Sequence, residues 1–165
     1  MDKPTERSET MPVDFPLHPP TEPRGDLVWL AHRAAEALAE SFNAVARSAG
    51  LTDLRDWLVL ALIRDGSDRT QVEITSELGI DKTTLVAILD RLELRGYIVR
   101  VVSANDRRAR VPRITDAGIE IEAKVTVAKE SMLDERLASI APVDRAGFHA
   151  ALWQIVQSVP PPHEQ

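Results

Sequence analysis

The segment from Thr70 to Thr115 most restricts the possible folds, because two short helix patterns there are separated by one glycine. Thr70 and Glu73 form the Thr-x-x-Glu pattern of a capping box, which starts a helix by satisfying its free N–H groups. Gly79 ends that helix, since glycine adopts the left-handed conformation at low cost. Asp81 is then placed to cap a second helix at once. Two helices joined by about three residues that include a glycine predict a helix-turn-helix.

The second helix, predicted over residues 82–94, has one apolar face and one face of small and mixed side chains. The apolar face repeats at i, i+3, i+4 and i+7 and carries Leu85, Ile88, Leu89 and Leu92. The opposite face carries Lys82, Thr83, Thr84, Val86, Ala87, Asp90 and Arg91. Such a slim face can enter the DNA major groove, about 12 Å wide, and touch base edges or a thymine methyl group. An ordinary surface helix has the same pattern, so this helix alone leaves both interpretations open.

Residues 97–114 are predicted to form a two-stranded hairpin, the wing, directly after this recognition helix. Tyr97–Val102 is rich in β-branched residues, and Ser103–Asp106 has the composition of a turn. Pro112 cannot donate a ladder hydrogen bond, which places its strand at a sheet edge. The tip and the returning strand carry Arg107, Arg108, Arg110 and Arg113. Because these arginines repel one another, they favour phosphates or a narrow minor groove as partners; a solvated charged hairpin is the alternative.

Residues 51–118 resemble the MarR family, the multiple-antibiotic-resistance regulators. The matching segments are Leu51–Thr52, Asp81–Thr84, Asp90–Glu93, Arg95–Arg100, Asp106–Ala109 and Ile114–Gly118, and the last two are the most specific. The resemblance implies a mainly α-helical winged helix-turn-helix with a small β-hairpin wing and with N- and C-terminal dimerisation helices. It implies a homodimeric transcription regulator that binds double-stranded DNA, usually a repressor, often released by a small phenolic or carboxylic effector.

The resemblance also implies roles for individual residues. In the family an aspartate of the wing braces an arginine that enters the minor groove, and Asp106 with Arg107 or Arg108 matches that pattern. The family's mid-helix Thr-Arg pair is replaced by Val86 and Ala87, so we expect thymine-methyl contacts there rather than guanine reading. The other expected DNA contacts are Lys82, Thr83, Thr84, Arg91 and Arg110. Sequence preference should then depend on the wing and on DNA shape.

The charge distribution agrees with a DNA-binding edge on an acidic protein. The whole chain carries a net charge of −6. The segment 81–113 holds eight Lys or Arg against four Asp or Glu, a net +4, which leaves −10 for the remainder. An acidic body limits non-specific binding and directs the basic edge towards the duplex.

The remaining segments are predicted to hold two copies together. Residues 1–25 contain six prolines and should form a disordered or extended arm, with packing of Phe15 and Leu17 on a partner as an alternative. Dimerisation helices are expected over 26–50 and 116–158, on either side of a DNA-binding part at 51–115. Thr52 would cap the first helix of that part, and residues 159–165 would form a tail. Phe148, Leu152, Ile155, Val156 and Val159 would form the apolar stripe of the last helix, which begins near Pro142 after one ending near Ser139. A two-fold dimer would read the half-sites of a pseudo-palindrome.

Composition narrows the chemistry. The chain has no cysteine, which excludes a thiol redox sensor, a disulfide and a thiolate metal site. No signal peptide or membrane-length apolar run is visible, so we expect a cytoplasmic protein without membrane contact. No phosphate loop, nucleophile elbow or His-Glu zinc helix is present, so neither an enzyme nor a cofactor is expected. The remaining alternative is a winged-helix protein–protein interaction module without DNA binding.

An effector site is the least determined prediction. In the family, effectors bind between the dimerisation helices and the winged domain. Aromatic and ionisable side chains from this region are Trp29, His32, Asp53, Asp56 and Trp57, which would suit a planar phenol or organic acid. Each of them could equally be a core or solvated residue, and nothing in the sequence identifies the ligand.

Overall fold

The computed structural model describes residues 25–104 and 106–158, which form six helices and one two-stranded sheet. The helices are α1 (Leu27–Ala49), α2 (Leu54–Ile63), α3 (Gln71–Leu78), α4 (Lys82–Leu94), α5 (Asp116–Arg136) and α6 (Pro142–Ser158). The strands are β1 (Ile98–Val102) and β2 (Arg110–Ile114), between α4 and α5 in the chain. The predicted fold class, mainly α with a β-hairpin wing, is confirmed. Residues 1–24 of the predicted arm at 1–25 and the tail at 159–165 lie outside the described residues.

The chain divides into two units, residues 1–37 and residues 38–165, and α1 contributes to both. In the described part of the first unit, Asp26 accepts a hydrogen bond from the backbone N–H of Trp29 (2.8 Å) and so starts α1. His32 and Arg33 both contact Glu36 on the surface of the helix. Leu27 is 66% exposed and Val28 is 77% exposed.

The core of the second unit lies among the C-terminal part of α1 and the elements α2, α3, α4, β1 and α5. The apolar face predicted for α4 is confirmed, because Leu85, Ile88, Leu89 and Leu92 are all fully buried. They pack with buried residues of the other elements, namely Val59, Leu60, Ile63, Ile74, Ile98 and Val125. Burial of four side chains on one side of α4 leaves its other side facing outward.

The helix starts follow the predicted chemistry at α3 and α4. Thr70 accepts from the backbone N–H of Glu73, and Glu73 accepts from the backbone N–H of Thr70, so the capping box is present. The bonds from Thr70 hold the pKa of Glu73 below its usual value. Gly79 ends α3 with a φ of 62°, and Asp81 caps α4 by accepting from the N–H of Thr84 (2.9 Å). The hydrogen bonds from Thr84 likewise lower the pKa of Asp81.

The predicted cap of α2 is wrong by one residue. Asp53 caps the helix by accepting from the N–H of Arg55 (2.8 Å). Thr52 instead donates its backbone N–H to the carboxylate of Asp56 (2.8 Å). The predicted end of α5 is also too late, because the helix stops at Arg136.

The wing and α5 meet at a very close backbone approach. β1 pairs antiparallel with β2, and Ile98 lies opposite Ile114. The hydroxyl of Thr115 accepts from the N–H of Gly118 (3.1 Å), which caps α5. A Cβ atom at Gly118 would lie 2.1 Å from the carbonyl oxygen of Tyr97. Glycine is therefore required at this position, where the wing returns to the domain.

The last helix has no buried residue. Its predicted apolar stripe is exposed in the single chain, with Phe148 at 45%, Ile155 at 58% and Val156 at 63%; Val159 lies outside the described residues. Apolar surface concentrated on one helix is typical of a surface that a partner covers. None of the helices in the described ranges is long and apolar enough to span a bilayer.

Candidate nucleic-acid interface

The outward face of α4 presents small side chains and one lysine. Lys82, Thr83 and Ala87 are exposed, and Thr84 and Val86 are partly buried. The hydroxyl of Thr84 donates to Asp81 (2.5 Å), so towards a ligand it can act only as an acceptor. Among residues 82–87, Ala87 is the exposed apolar side chain.

Arg91 does not belong to this outward face. Its Nε donates to Oδ1 of Asp56 (2.5 Å), a carboxylate that is fully buried. Asp56 also accepts from the N–H of Thr52, and Nη1 of Arg95 lies 3.6 Å from it. Leaving a buried carboxylate unpaired would cost about 3–5 kcal/mol. This ion pair engages the guanidinium of Arg91, and its contact with the DNA backbone stays a prediction.

The arginines of the wing fall into two groups. Arg107, Arg108 and Arg110 are exposed, and none of them has an ion-pair partner among the described residues. Arg113 forms the second group, because it pairs with Asp68 in the loop before α3. On β1, Arg100 is held by Asp90 (2.5 Å) and by Glu93 (3.5 Å).

Asp106 supports the wing tip in a different way from the predicted one. Its carboxylate accepts from the backbone N–H of Arg108 (2.9 Å), and its own N–H donates to Ser103 Oγ (3.4 Å). No ion pair joins Asp106 to Arg107 or Arg108 within the described part of the chain. Asp106 therefore shapes the turn that carries these arginines and leaves their guanidinium groups free.

Intramolecular pairing thus halves the basic charge that is available to a ligand. Of the eight basic residues in 81–113, four contact acidic side chains: Arg91, Arg95, Arg100 and Arg113. The four that no described acidic residue neutralises are Lys82, Arg107, Arg108 and Arg110. They mark two places, the N-terminus of the recognition helix and the wing tip. A surface with these two positive points suits the phosphates on either side of a groove.

Sequence reasoning missed Asp68, which contacts the wing from the loop at residues 64–70. Its carboxylate accepts from Ser103 Oγ (3.2 Å) and from the N–H of Ala104 (2.9 Å), in addition to the ion pair with Arg113. The sequence gives no local signal for these contacts, because Asp68 lies in a polar loop without periodicity. The only hint is an acidic side chain in a segment that precedes an arginine-rich hairpin.

The residues predicted for an effector are distributed over both units. Trp29 and His32 belong to the first unit, and Asp53 and Trp57 to the second. Asp53 lines a cleft of about 250 Å³ together with Ala39, Asn43, Leu54 and Arg55.

Trp57 and Asp56 already have structural partners. Trp57 donates its Nε1–H to Thr126 (3.0 Å), and its ring contacts Phe42 at 5.4 Å between centroids. The ammonium of Lys129 lies 4.2 Å from the centre of the same ring. Asp56 is buried in the ion pair with Arg91 and is closed to a ligand.

Comparisons with known proteins agree with this geometry. The family model that describes the MarR family matches residues 49–109. The HTH-type transcriptional regulator FarR of Neisseria gonorrhoeae is 27% identical over 111 residues, which cover 67% of this chain and 73% of FarR. A solved structure of the transcriptional repressor CouR bound to a 23-mer DNA duplex is 30% identical, with a TM-score of 0.72, and the match covers 81% of this chain and 94% of that one.

A second solved structure, CouR from Rhodococcus jostii RHA1 bound to p-coumaroyl-CoA, has a TM-score of 0.73 at 21% identity, with 82% of this chain and 94% of that chain covered. The sequence motifs, the winged helix-turn-helix geometry and these matches agree. The chain belongs to the MarR family of transcription regulators.

Proposed function

We propose that two copies of this chain bind a pseudo-palindromic duplex and repress transcription until a small aromatic effector releases them. The observation that carries this proposal is the separation of free from neutralised cations. Lys82, Arg107, Arg108 and Arg110, at the recognition helix and the wing tip, have no acidic partner among the described residues, whereas the other cations of the segment are held by acids. The DNA-bound CouR structure supports the same use of this fold.

The recognition helix supplies shape and apolar contact in the major groove. Thr83 and Thr84 stand near its N-terminus, where short side chains reach base edges. Ala87 is exposed and can touch a thymine methyl group, and Val86 adds to this contact from its half-buried position. This face has no arginine, so guanine contact is left to Lys82, and the exposed methyl group of Ala87 favours thymine.

The wing supplies most of the charge. Arg107 and Arg108 sit on the turn, and Arg110 starts β2. Guanidinium groups at the tip of a hairpin can enter a narrow minor groove, whose negative potential attracts them. Sequence preference would then arise from groove width as well as from contacts of α4.

Dimer formation would place two such surfaces on one face of the duplex. The exposed apolar side chains of α6 need a covering surface, and a second copy of the chain is the commonest solution. Two recognition helices related by a two-fold axis would contact half-sites about one helical turn apart.

The effector part of the proposal rests on the cleft beside Asp53 and Arg55. Arg55 offers a cation for a carboxylate, and Asn43 and Leu54 complete a partly apolar wall. CouR binds p-coumaroyl-CoA, which makes planar aromatic acids and their thioesters the first compounds to test. Binding would shift the dimer towards a spacing of recognition helices that fits DNA poorly.

A DNase footprint of the purified protein on the DNA beside its own coding region tests the main proposal. We expect a protected segment of about two half-sites whose affinity falls steeply as salt rises. Absence of protection together with weak, salt-independent binding would refute DNA recognition. Addition of p-coumaric acid or its coenzyme A thioester to the same footprint tests the effector part separately. Protection of the DNA is lost only if binding of the compound releases the protein from the duplex.

A further inference from the structure

One carboxylate outside the wing contacts both sides of the hairpin. Asp68 Oδ2 accepts from Ser103 Oγ and from the N–H of Ala104, at 3.2 and 2.9 Å, where β1 passes into the turn. Oδ1 of the same residue pairs with the guanidinium of Arg113 on β2. The Asp68 side chain is only 10% exposed, so its carboxylate is largely removed from water.

This contact continues to the wing tip through a short series of hydrogen bonds. Ser103 Oγ, which binds Asp68, also accepts from the N–H of Asp106 (3.4 Å). The carboxylate of Asp106 in turn accepts from the N–H of Arg108 (2.9 Å). The backbone that carries Arg107 and Arg108 is therefore two hydrogen-bonded residues away from Asp68.

The loop that holds Asp68 is itself fixed. Arg69 donates to the carboxylate of Asp65 (2.7 Å) and to the carbonyl of Leu62 (2.8 Å). Asp65 also accepts from the N–H of Ser67 (3.0 Å). The bond from Arg69, with those from Ser67, holds the pKa of Asp65 well below its usual range, so this anchor stays ionised at neutral pH. Asp68 therefore lies in a loop that hydrogen bonds hold on both sides of it.

A two-stranded hairpin alone is marginally stable and does not fix its own direction. We propose that Asp68 is a positioning residue for DNA binding: by clamping Ser103, Ala104 and Arg113 it sets the direction of the wing and so the place where Arg107 and Arg108 meet the duplex. This inference rests on the proposed function of the wing as a DNA contact. It assigns the bracing role of the wing to a residue of the α2–α3 loop.

Removing Asp68 alone would confuse the test, because it would also release the cation of Arg113. Two double variants avoid this: D68A/R113Q and D68N/R113Q have the same net charge. Only the second keeps an oxygen at position 68 that can accept from Ser103 and Ala104, and its two amides can bond to each other. Glu120→Gln, which removes one exposed carboxylate from α5, controls for charge alone.

The first measurement is hydrogen exchange of the Ala104 amide in the full-length protein without DNA. We expect this amide to lose protection in D68A/R113Q and to keep it in D68N/R113Q and in Glu120→Gln. Thermal unfolding confirms that each variant is folded. Equal protection of Ala104 in the two double variants would overturn the proposal, since Asp68 would then not hold the turn.

The second measurement is the dependence of DNA affinity on salt. In D68A/R113Q the slope of log K against log[salt] should fall by about 3.6, because two arginines in each of two subunits lose their phosphates. D68N/R113Q should retain the wild-type slope. A wild-type slope in D68A/R113Q, despite loss of Ala104 protection, would overturn the positioning role. A flat slope in the wild-type protein would instead refute the proposed function, on which this inference depends.

Discussion

The count of free cations determines how steeply DNA affinity should fall with salt. Each subunit offers Lys82, Arg107, Arg108 and Arg110, so a dimer neutralises at most eight phosphates through them. At about 0.9 counterions per phosphate, the slope of log K against log[salt] is about −7. Affinity should then fall roughly 10⁴-fold between 50 and 200 mM salt. If all eight basic residues of the segment were free, the slope would be about −14.

The double variant R107A/R108A tests this count. It removes four of the eight free cations of the dimer, so the slope should fall to about −3.6 and the loss over the same salt range to roughly 10²-fold. Fluorescence anisotropy of a labelled duplex that spans the footprint, titrated at several potassium chloride concentrations, gives the slope directly.

The matched control removes the same charge from another part of the domain. Lys124 and Arg136 are exposed on α5, and K124A/R136A should leave the slope at its wild-type value. If R107A/R108A kept the wild-type slope, or if the control lowered it equally, the wing would not be the phosphate-binding element. A wild-type slope near −14 would show that the intramolecular ion pairs open on binding.

Three further predictions concern the frame of the domain. Arg91→Ala should lower the free energy of unfolding by about 3 kcal/mol without DNA, because buried Asp56 loses its close ion-pair partner and keeps only Arg95 at 3.6 Å; wild-type stability in urea would mean that Arg91 is free for DNA. Gly118→Ala should cost about 3 kcal/mol or prevent folding, since the added methyl group meets the carbonyl of Tyr97; an unchanged melting temperature would contradict that approach. Leu89→Asp should abolish cooperative unfolding, because an unpaired charge would enter the core, and a native melting curve would show that Leu89 is not buried.

The local architecture was predictable because its signals are local. The capping box at Thr70, the left-handed end at Gly79 and the cap at Asp81 each depend on residues within about four positions. The buried face of α4 follows from helical periodicity in the same way. These features establish a helix-turn-helix before any tertiary contact is known.

The partners of the arginines were not predictable, because they are distant in the chain. Arg91 and Asp56 are 35 residues apart, and Arg113 and Asp68 are 45 residues apart. The cap of α2 shows the same limit on a smaller scale. Thr52 and Asp53 are both good caps. Buried Asp56 accepts a hydrogen bond from the backbone N–H of Thr52, and Asp53 is the residue that caps the helix.

The acidic residues of the domain decide which arginines remain for DNA, but they do so with different strength. The side chains of Asp56 and Asp68 are 0% and 10% exposed, so the acidic partners of Arg91 and Arg113 are buried or nearly so. The partners of Arg100 are exposed, at 59% for Asp90 and 40% for Glu93.

Exposed ion pairs contribute little stability, so a nearby phosphate should compete more readily for Arg100, whose acidic partners are exposed, than for the other two. If DNA takes Arg100, the dimer gains two phosphate contacts and the slope becomes about −9. Arg100→Gln would return it to about −7. A wild-type slope of about −7 that Arg100→Gln leaves unchanged would mean that Arg100 stays paired with Asp90 and Glu93 when DNA binds. The exposed acidic residues of α4 would then exclude their arginine from DNA as firmly as the buried ones do.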